Sequence, residues 1–218
     1  MQGRDIIKDI QERMWPSLAI ALPTLLIGLL VHLTCALCLV LFRHHPAETI
    51  GLAMCVALMS ISGLFYIIGG QYLLAISAKL APISGYLAGT HAFKFVLLPV
   101  IIGVISGMGA SSRWYHTILQ EELHKDYVRT ARAKGLTQWQ TLRRHVLRNA
   151  MVPIVTGVVA ILPLLFMGSL LMEAFFAIPG LGSYTLDAIN QQDFEVVRTM
   201  VFIGSLLYMT GLILTDIA

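Results

Sequence analysis

Residues 14–42 read MWPSLAIALPTLLIGLLVHLTCALCLVLF, a run without a single Asp, Glu, Lys or Arg. An α-helix needs about 20 predominantly apolar residues to cross the hydrocarbon core of a bilayer. The run is continuous rather than alternating, which favours a helix over a barrel strand. It is also far longer than the roughly 7–15 residues of a signal-peptide core. Residues 14–42 therefore predict a membrane-spanning helix.

The composition of the whole chain agrees with a membrane location. Of its 218 residues, 57% are hydrophobic and only 12% are charged, whereas about 25% are charged in an ordinary soluble domain. These values argue against a soluble enzyme, a nucleic-acid-binding domain and a disordered protein. The formal net charge is only +3, so the positions of the charges carry more information than their sum.

Four further charge-free runs follow the first, and the last of them is marginal in length. The chain is therefore expected to be an all-α, polytopic membrane protein with about five visible spans. The predicted spans lie near residues 17–42, 50–78, 95–112, 152–172 and 199–218.

Basic residues cluster in one connection between spans. Residues 113–150 hold 8 of the 15 Lys and Arg residues, whereas residues 173–197 hold four acids and no base. The positive-inside rule predicts that 113–150 is cytoplasmic and that 173–197 is external. Residues 1–16 then form an external amphipathic segment. Because a charged amino terminus rarely crosses a membrane unaided, we expect a further span upstream of residue 1.

The connection 113–150 is too long for a simple turn and is expected to form two short helices. Leu123, Tyr127 and Ala131 recur at four-residue spacing, which places them on one helical face. Gly135 then interrupts the pattern.

The second short helix begins with a capping-box signature, because Thr137 is followed three residues later by Gln140. Trp139, Leu142 and Val146 would share one apolar face. These patterns alone fit two descriptions of the connection. It is either an amphipathic hairpin held in the interface by anionic headgroups, or a docking element for a groove in a cytoplasmic partner.

Two stretches of sequence resemble a known family. Residues 126–136, DYVRTARAKGL, and 144–153, RHVLRNAMVP, resemble the cytoplasmic coupling motif of permeases in binding-protein-dependent ATP-binding-cassette importers. Within these, they are most similar to the dipeptide, oligopeptide and nickel permease family. Residues 173–182, EAFFAIPGLG, resemble that family's outer segment before the last span. Arg129-Thr130-Ala131 replaces the general Glu-Ala-Ala, and Arg148 replaces a proline, as expected of this branch.

The resemblance implies a fold and a set of partners. The fold would be a type I importer transmembrane domain over residues 17–218, forming half of a path for peptides or a related small solute. The implied partners are a second permease subunit, two ABC ATPase subunits, an external solute-binding protein and the lipid bilayer, with no nucleic acid. This chain would bind no cofactor, since the ATPases would use ATP and Mg. A bacterial or archaeal plasma membrane is the implied location.

The resemblance also assigns roles to single residues. The coupling loop that would dock in the ATPase clefts comprises Tyr127, Arg129, Thr130, Ala131, Gly135, Leu136, Trp139, Leu142 and Arg144. The outer gate segment comprises Glu173, Pro179, Gly180 and Gly182.

Other chemistry finds little support in the sequence. No nucleophile lies beside an oriented base and acid, and no Gly-x-x-x-x-Gly-Lys-Ser/Thr loop is present. We therefore expect a transport subunit rather than an enzyme, with no catalytic residue and no metal site. The alternative is a secondary transporter or channel in which the connection 113–150 is an interfacial hairpin. Such proteins usually show internal repeats and intramembrane ion-binding groups, and neither is evident here.

Three polar or reactive positions remain open to more than one interpretation. His32, at mid-membrane depth, either lines a substrate path or makes one hydrogen bond to a neighbouring helix. Cys35 and Cys38 suggest a metal pair but are more typical of packing in an apolar helix. Glu173 either faces an outer vestibule or lies at the membrane interface.

Overall fold

The computed structural model describes residues 6–43, 45–77, 82, 84–85 and 92–217, and these residues form helices joined by short connections, without a strand among them. In chain order the helices are α1 (Ile6–Leu41), α2 (Pro46–Ser60), α3 (Gly63–Gly70), α4 (Ala92–Leu123), α5 (Asp126–Ala133), α6 (Gln138–Thr141), α7 (Leu147–Ile161), α8 (Leu170–Phe175), α9 (Leu181–Asn190) and α10 (Phe194–Ile217). Wider π-type turns follow α3 and α6, and a tighter 3-10 segment follows α7.

Within the described part of the chain, four stretches are helical, long and apolar enough to cross a membrane, namely Ile6–Leu41, Phe93–Leu123, Gln138–Phe175 and Phe194–Asp216. A fifth is obtained if α2 and the helix that begins at Gly63 count as one interrupted span. The expected all-α, polytopic architecture is confirmed.

The helices do not begin and end where the charge-free runs of the sequence begin and end. Residues 6–16, expected to be a separate external segment, continue directly into the first candidate span. Helix α4 continues past residue 113 to Leu123, and the fourth candidate span already begins at Gln138. A charge gap marks only the stretch suited to hydrocarbon, whereas a helix continues through polar residues as long as its backbone hydrogen bonds are made. Residues 124–137 are the part of the predicted connection outside the candidate spans.

The chain divides into two compact units. The first comprises residues 1–26, 63–103 and 159–218, and the second comprises residues 27–62 and 104–158.

The core of the second unit joins α1, α4, α5 and α7. Leu119, Val146, Ala150 and Ile154 have no exposed surface, and Val128 is 1% exposed. Apolar residues of these four helices and of the π-type turn thus meet in one cluster, which fixes the end of α4 against the start of α7.

His32 lies inside this unit, with its imidazole Nε2 2.8 Å from the carbonyl oxygen of Val104. A carbonyl only accepts, so Nε2 carries the proton. A Cβ added at Gly28 or Gly107 would lie 3.3 Å from the ring, so these two glycines leave the room that it occupies. Of the two interpretations, the structure shows the hydrogen bond to a neighbouring helix.

One core cluster of the first unit lies between α9 and α10. Leu181, Tyr184 and Ala188 of α9 pack against Val196 and Met200 of α10. Ile6, Ile10 and Met14, at the start of α1, cover this cluster. The polar amino-terminal turns of α1 therefore pack on protein, which explains why the helix extends so far beyond its apolar run.

Candidate functional site

The hairpin, defined here as residues 124–149, is built around a glycine turn. Helix α5 ends at Ala133, Lys134 is its C-cap residue, and Gly135 follows with a φ of +83°. The N–H of Gly135 donates to the carbonyl of Arg132 at 2.9 Å, and the N–H of Leu136 donates to that of Ala131 at 3.3 Å. These two bonds form a Schellman motif, which needs a left-handed residue at the position of Gly135. The predicted interruption at Gly135 is confirmed.

A capping box begins the second helix of the hairpin. The N–H of Gln140 donates to Thr137 Oγ1 at 3.3 Å, and the N–H of Thr137 donates to Gln140 Oε1 at 3.1 Å. The predicted capping box is therefore confirmed. Only two residues lie between Gly135 and the first residue of α6, so the direction of the chain is fixed on both sides of the bend.

The predicted apolar face of the second helix is interrupted. Leu142 and Val146 are buried, at 1% and 0% exposure, but Trp139 is 51% exposed. Residues 142–146 form a π-type turn. Its extra residue rotates Trp139 by up to about 100° relative to Val146. The expectation that Trp139 shares their buried face is wrong for this reason.

The coupling residues expected from the resemblance fall into three groups. Ala131 and Leu142 lie in the core of the unit, and Tyr127 and Leu136 are half-buried. The remaining members are exposed, and other exposed bases lie beside them. The exposed surface, called the basic surface below, comprises Arg129, Thr130, Arg132, Lys134, Gly135, Trp139, Arg143 and Arg144.

Charges on the basic surface are only weakly compensated within the hairpin. Arg129 Nη1 lies 3.7 Å from Asp126 Oδ1, but both side chains are more than 80% exposed, and such a pair contributes little. The basic surface therefore keeps a net positive charge. Trp139 adds a large apolar side chain to it, in the combination of aromatic and Arg residues that is enriched in protein interfaces.

A buried carboxylate lies at the base of the hairpin. Glu122 is 7% exposed, and its Oε2 accepts a hydrogen bond of 2.6 Å from the hydroxyl of Tyr127. Burial raises the pKa of the Tyr127 hydroxyl above its ordinary value, and the bond to the Glu122 carboxylate raises it further. The phenol is therefore a hydrogen-bond donor at neutral pH.

A second polar centre lies in residues 168–183, called the Glu173 segment below. Glu173 is 1% exposed. Its Oε1 accepts from the Ser17 hydroxyl at 2.8 Å and from the Ser169 N–H at 3.1 Å, and its Oε2 accepts from the Ser183 N–H at 3.0 Å. Glu173 is therefore enclosed by hydrogen-bond donors of its own unit.

These contacts cap α9 from outside the helix. Its N-cap residue is Gly180, which has no side chain to offer, and the first N–H groups of a helix need acceptors. Ser17 Oγ accepts from the Leu181 N–H at 2.8 Å, and Glu173 accepts from Ser183. A carboxylate is also favoured there by the helix dipole.

Glycines leave the room that this carboxylate occupies. A Cβ at Gly168 or Gly180 would collide with the carboxylate oxygens of Glu173. At Gly182 it would lie 2.6 Å from the backbone carbonyl carbon of Ser169. Pro179 is exposed. Three of the four expected outer gate residues, Glu173, Gly180 and Gly182, thus belong to one buried hydrogen-bonded turn.

Sequence reasoning missed Ser17, Ser169 and Ser183. A serine is common in membrane helices and gives no signal by itself, and Ser17 lies 156 residues from its partner. Glu122 was also missed. Because Glu121 and Lys125 lie beside it in the sequence, it resembles one of several exposed charges at the end of a helix.

The sequence profile of the family described as binding-protein-dependent transport system inner membrane component matches residues 19–218. The chain belongs to this family. It is therefore a multi-pass membrane component of a transport system, and the resemblance to permeases of ATP-binding-cassette importers is confirmed.

Several curated permeases are similar to this member of the family. The dipeptide transport system permease protein DppB of Bacillus subtilis is 29% identical over 217 residues, covering 98% of this chain and 68% of that protein. DppB of Lactococcus lactis is 32% identical, and the match covers 74% of this chain and 52% of that protein. DppB of Escherichia coli K12 is 37% identical, and the match covers 58% of this chain and 36% of that protein. The chain thus spans from about a third to about two thirds of these relatives.

A solved structure described as inward-facing conformations of the MetNI methionine ABC transporter has the same fold. The TM-score is 0.72, and the match covers 99% of this chain and 98% of that one at 16% sequence identity. The expected fold of an importer transmembrane domain is confirmed.

Proposed function

We propose that this chain is the permease subunit of an ATP-driven peptide importer. It forms half of the translocation path together with a second permease subunit. Family membership supports the transport role, and the names of the relatives, which are dipeptide permeases, support peptides as the substrate class. An external solute-binding protein delivers the peptide in this proposal, and the protein resides in a bacterial or archaeal plasma membrane.

The basic surface of the hairpin is the observation that carries the coupling role. Val128, Ala131 and Leu142 of the hairpin are buried in the core, whereas Trp139 is 51% exposed. A rigid helical pair with a basic surface and one exposed aromatic side chain fits the helix-in-groove mode of recognition. We infer that two cytoplasmic ATPase subunits supply the grooves and the energy of ATP hydrolysis, with Mg bound in those subunits.

The burial pattern refines the residue roles. Trp139 is the apolar anchor of the docking contact, and Arg129, Arg132, Arg143 and Arg144 form its charged rim. Ala131 and Leu142 support it from beneath. In this topology the hairpin is cytoplasmic and the Glu173 segment is external, where its buried turn forms the frame of the outer gate.

Purification of the complex in mild detergent tests the docking contact. A Trp at the centre of an interface typically contributes 2 kcal/mol or more, so we expect Trp139→Ala to weaken ATPase binding roughly thirtyfold. Trp15→Ala, which removes a Trp that is 67% exposed on α1, is the matched control and should retain the ATPases. Recovery of the ATPases at wild-type yield with Trp139→Ala would refute the docking role.

Transport itself tests the substrate class. Vesicles containing the permease pair, with the ATPases and ATP in the lumen and the binding protein outside, should accumulate a labelled dipeptide. If dipeptide uptake does not depend on ATP or on the binding protein, the secondary-transporter alternative is favoured instead.

A further inference from the structure

A polar cavity of the first unit has no part in docking or in the capping of α9. Its volume is about 90 Å³, and a water molecule takes about 30 Å³ in the liquid, so it has room for a molecule of a few non-hydrogen atoms. Helices α1, α9 and α10 and the connection between the last two form its walls. The polar side chains that line it are those of Arg13, Tyr184, Asp187, Gln191 and Asp193, and we call it the Arg13 cavity.

Arg13 is held at the wall of this cavity by an aromatic ring. Its guanidinium carbon Cζ lies 4.7 Å from the centroid of the Tyr184 ring, within the range of a cation–π contact. The ring is itself fixed, because Tyr184 is 5% exposed and its hydroxyl donates to Asp9 Oδ2 at 3.4 Å. A ring neutralises no charge and accepts only weak hydrogen bonds, so the guanidinium keeps its positive charge and its N–H donors.

An opposite charge faces the same cavity without pairing to Arg13. Within the described part of the chain, neither the Arg13 guanidinium nor the Asp187 carboxylate forms an ion pair or a side-chain hydrogen bond. Asp193, the other carboxylate, is placed differently, since its Oδ1 accepts from the Val196 N–H at 3.4 Å at the start of α10. The cavity thus presents one cation from α1 and one carboxylate from α9 to a ligand.

This pair of charges selects a ligand that carries both. A carboxylate alone would be attracted by Arg13 but repelled by Asp187 and Asp193, and an ammonium alone would be repelled by Arg13. A molecule with both groups meets a partner for each, because its carboxylate accepts from the planar guanidinium and its ammonium donates to Asp187. Gln191 offers an amide oxygen as a further acceptor for the ammonium.

We propose that the Arg13 cavity is a binding site for a free α-amino acid with a small side chain. A space equal to about three water molecules fits glycine or alanine rather than a peptide. Arg13 binds the carboxylate of the amino acid and Asp187 its ammonium, so the ligand bridges α1 and α9. In the topology of the proposed function the site is external. Only this placement rests on the proposed function, since the binding requires neither the ATPases nor the peptide path.

Equilibrium dialysis of the complete importer in mild detergent against radiolabelled glycine tests the proposal. We expect saturable binding of glycine, with which unlabelled alanine competes. Glycolate has a hydroxyl in place of the ammonium, and methylamine lacks the carboxylate. Both should compete at least tenfold more weakly, because each leaves one charge-assisted contact unmade.

Two variants locate the bound glycine. Arg13→Gln and Asp187→Asn should each weaken glycine binding at least tenfold. Arg198→Gln and Glu195→Gln, which neutralise exposed charges of α10, are the matched controls and should leave it unchanged. Because Arg13→Gln also removes the contact with Tyr184, Asp187→Asn at an exposed position is the decisive variant.

Three results would overturn the site. They are the absence of saturable glycine binding, a wild-type affinity in Asp187→Asn, and competition by glycolate that equals competition by alanine. None of these results depends on transport. Failure of the docking role has a different signature, namely that Trp139→Ala retains the ATPases.

Discussion

Ser17 and Glu173 are joined by a hydrogen bond of 2.8 Å although 156 positions separate them in the sequence. The same Ser17 oxygen accepts the Leu181 N–H at 2.8 Å, so one hydroxyl both donates to the carboxylate and caps α9. The bond ties the first helix of the chain to the turn in front of α9. The stability of the Glu173 segment therefore depends on a residue far outside it.

Replacement of Ser17 by Ala should destabilise the protein by about 1–3 kcal/mol, because it leaves a buried carboxylate oxygen and a buried N–H short of a partner. For a chain of this size, each kcal/mol corresponds to about 2–4 °C in Tm. Thermal unfolding in detergent, followed by size-exclusion chromatography, measures the effect. Ser205→Ala removes an exposed hydroxyl that bonds only within its own helix, and it should change Tm by less than about 1 °C.

Gly182→Ala should also lower Tm, by about 2–12 °C, because its Cβ would lie 2.6 Å from the backbone of Ser169 and overpacking typically costs 1–3 kcal/mol. Gly69→Ala is the matched control. A Cβ at Gly69 meets no described atom within 4 Å, and Ala is the better helix former. The two substitutions should therefore shift Tm in opposite directions, and equal shifts would contradict the packing at Gly182.

Ala177→Gly should raise Tm by about 1–3 °C. Ala177 has a φ of +52°, and the N–H of Ile178 donates to the Glu173 carbonyl at 2.9 Å as in a Schellman motif. An L-residue in this conformation is strained by about 1 kcal/mol relative to Gly. The same thermal assay measures the gain, and a lower Tm would show that the loss of the exposed methyl group outweighs the relief of strain.

Gly135→Asp, and more strongly Gly135→Val, should uncouple transport from ATP hydrolysis while the chain still inserts into the membrane. The φ of +83° disfavours a side chain, with a cost of about 1–3 kcal/mol for the β-branched Val. Gly135→Asn is the control, since Asn tolerates this conformation as Asp does but adds no charge. The effect of Gly135→Asp is therefore expected from its negative charge on the basic surface, and that of Gly135→Val from the backbone. The measurement is the number of peptides transported per ATP hydrolysed in vesicles. A wild-type value in Gly135→Val would show that the bend at Gly135 is not needed for coupling.

His32→Phe should lower Tm by only about 1–2 °C, because hydrogen bonds between membrane helices contribute about 0.6 kcal/mol on average. The phenyl ring fills the space between Gly28 and Gly107 but cannot donate to Val104. If His32 is a structural donor, as the 2.8 Å bond indicates, the pH profile of transport should not change. A shifted pH profile would instead place His32 on the substrate path.

The candidate spans could be predicted from the sequence, but their ends could not. Hydrocarbon excludes charges, so the gap that begins after Arg13 and ends at Arg43 marks a span without any tertiary information. The same rule is silent about the break between α2 and α3 at residues 61–62, because an interrupted helix stays apolar on both sides. It also could not show that α1 begins at Ile6, where polar turns pack on α9 and α10.

The features of the hairpin that depend on residues close together in the sequence could be predicted. Gly135, Thr137 and Gln140 act through neighbours within a few residues, so the turn and the capping box follow from their order along the chain. The exposure of Trp139 was not predictable, because the wider turn at 142–146, which changes the register between Trp139 and Val146, has no signal in the sequence.

The sequence by itself determined that the chain is a helical membrane protein, where its spans lie, and that 126–153 and 173–182 carry the family's motifs. These properties depend on composition and on short-range order, which a chain has before it folds. Only the tertiary structure decided which motif residues are exposed and which are buried. It placed Glu173 among Ser17, Ser169 and Ser183, and Tyr127 against Glu122. A buried carboxylate is stabilised by whichever donors the fold brings within about 3 Å, and no local pattern specifies partners that are distant in sequence.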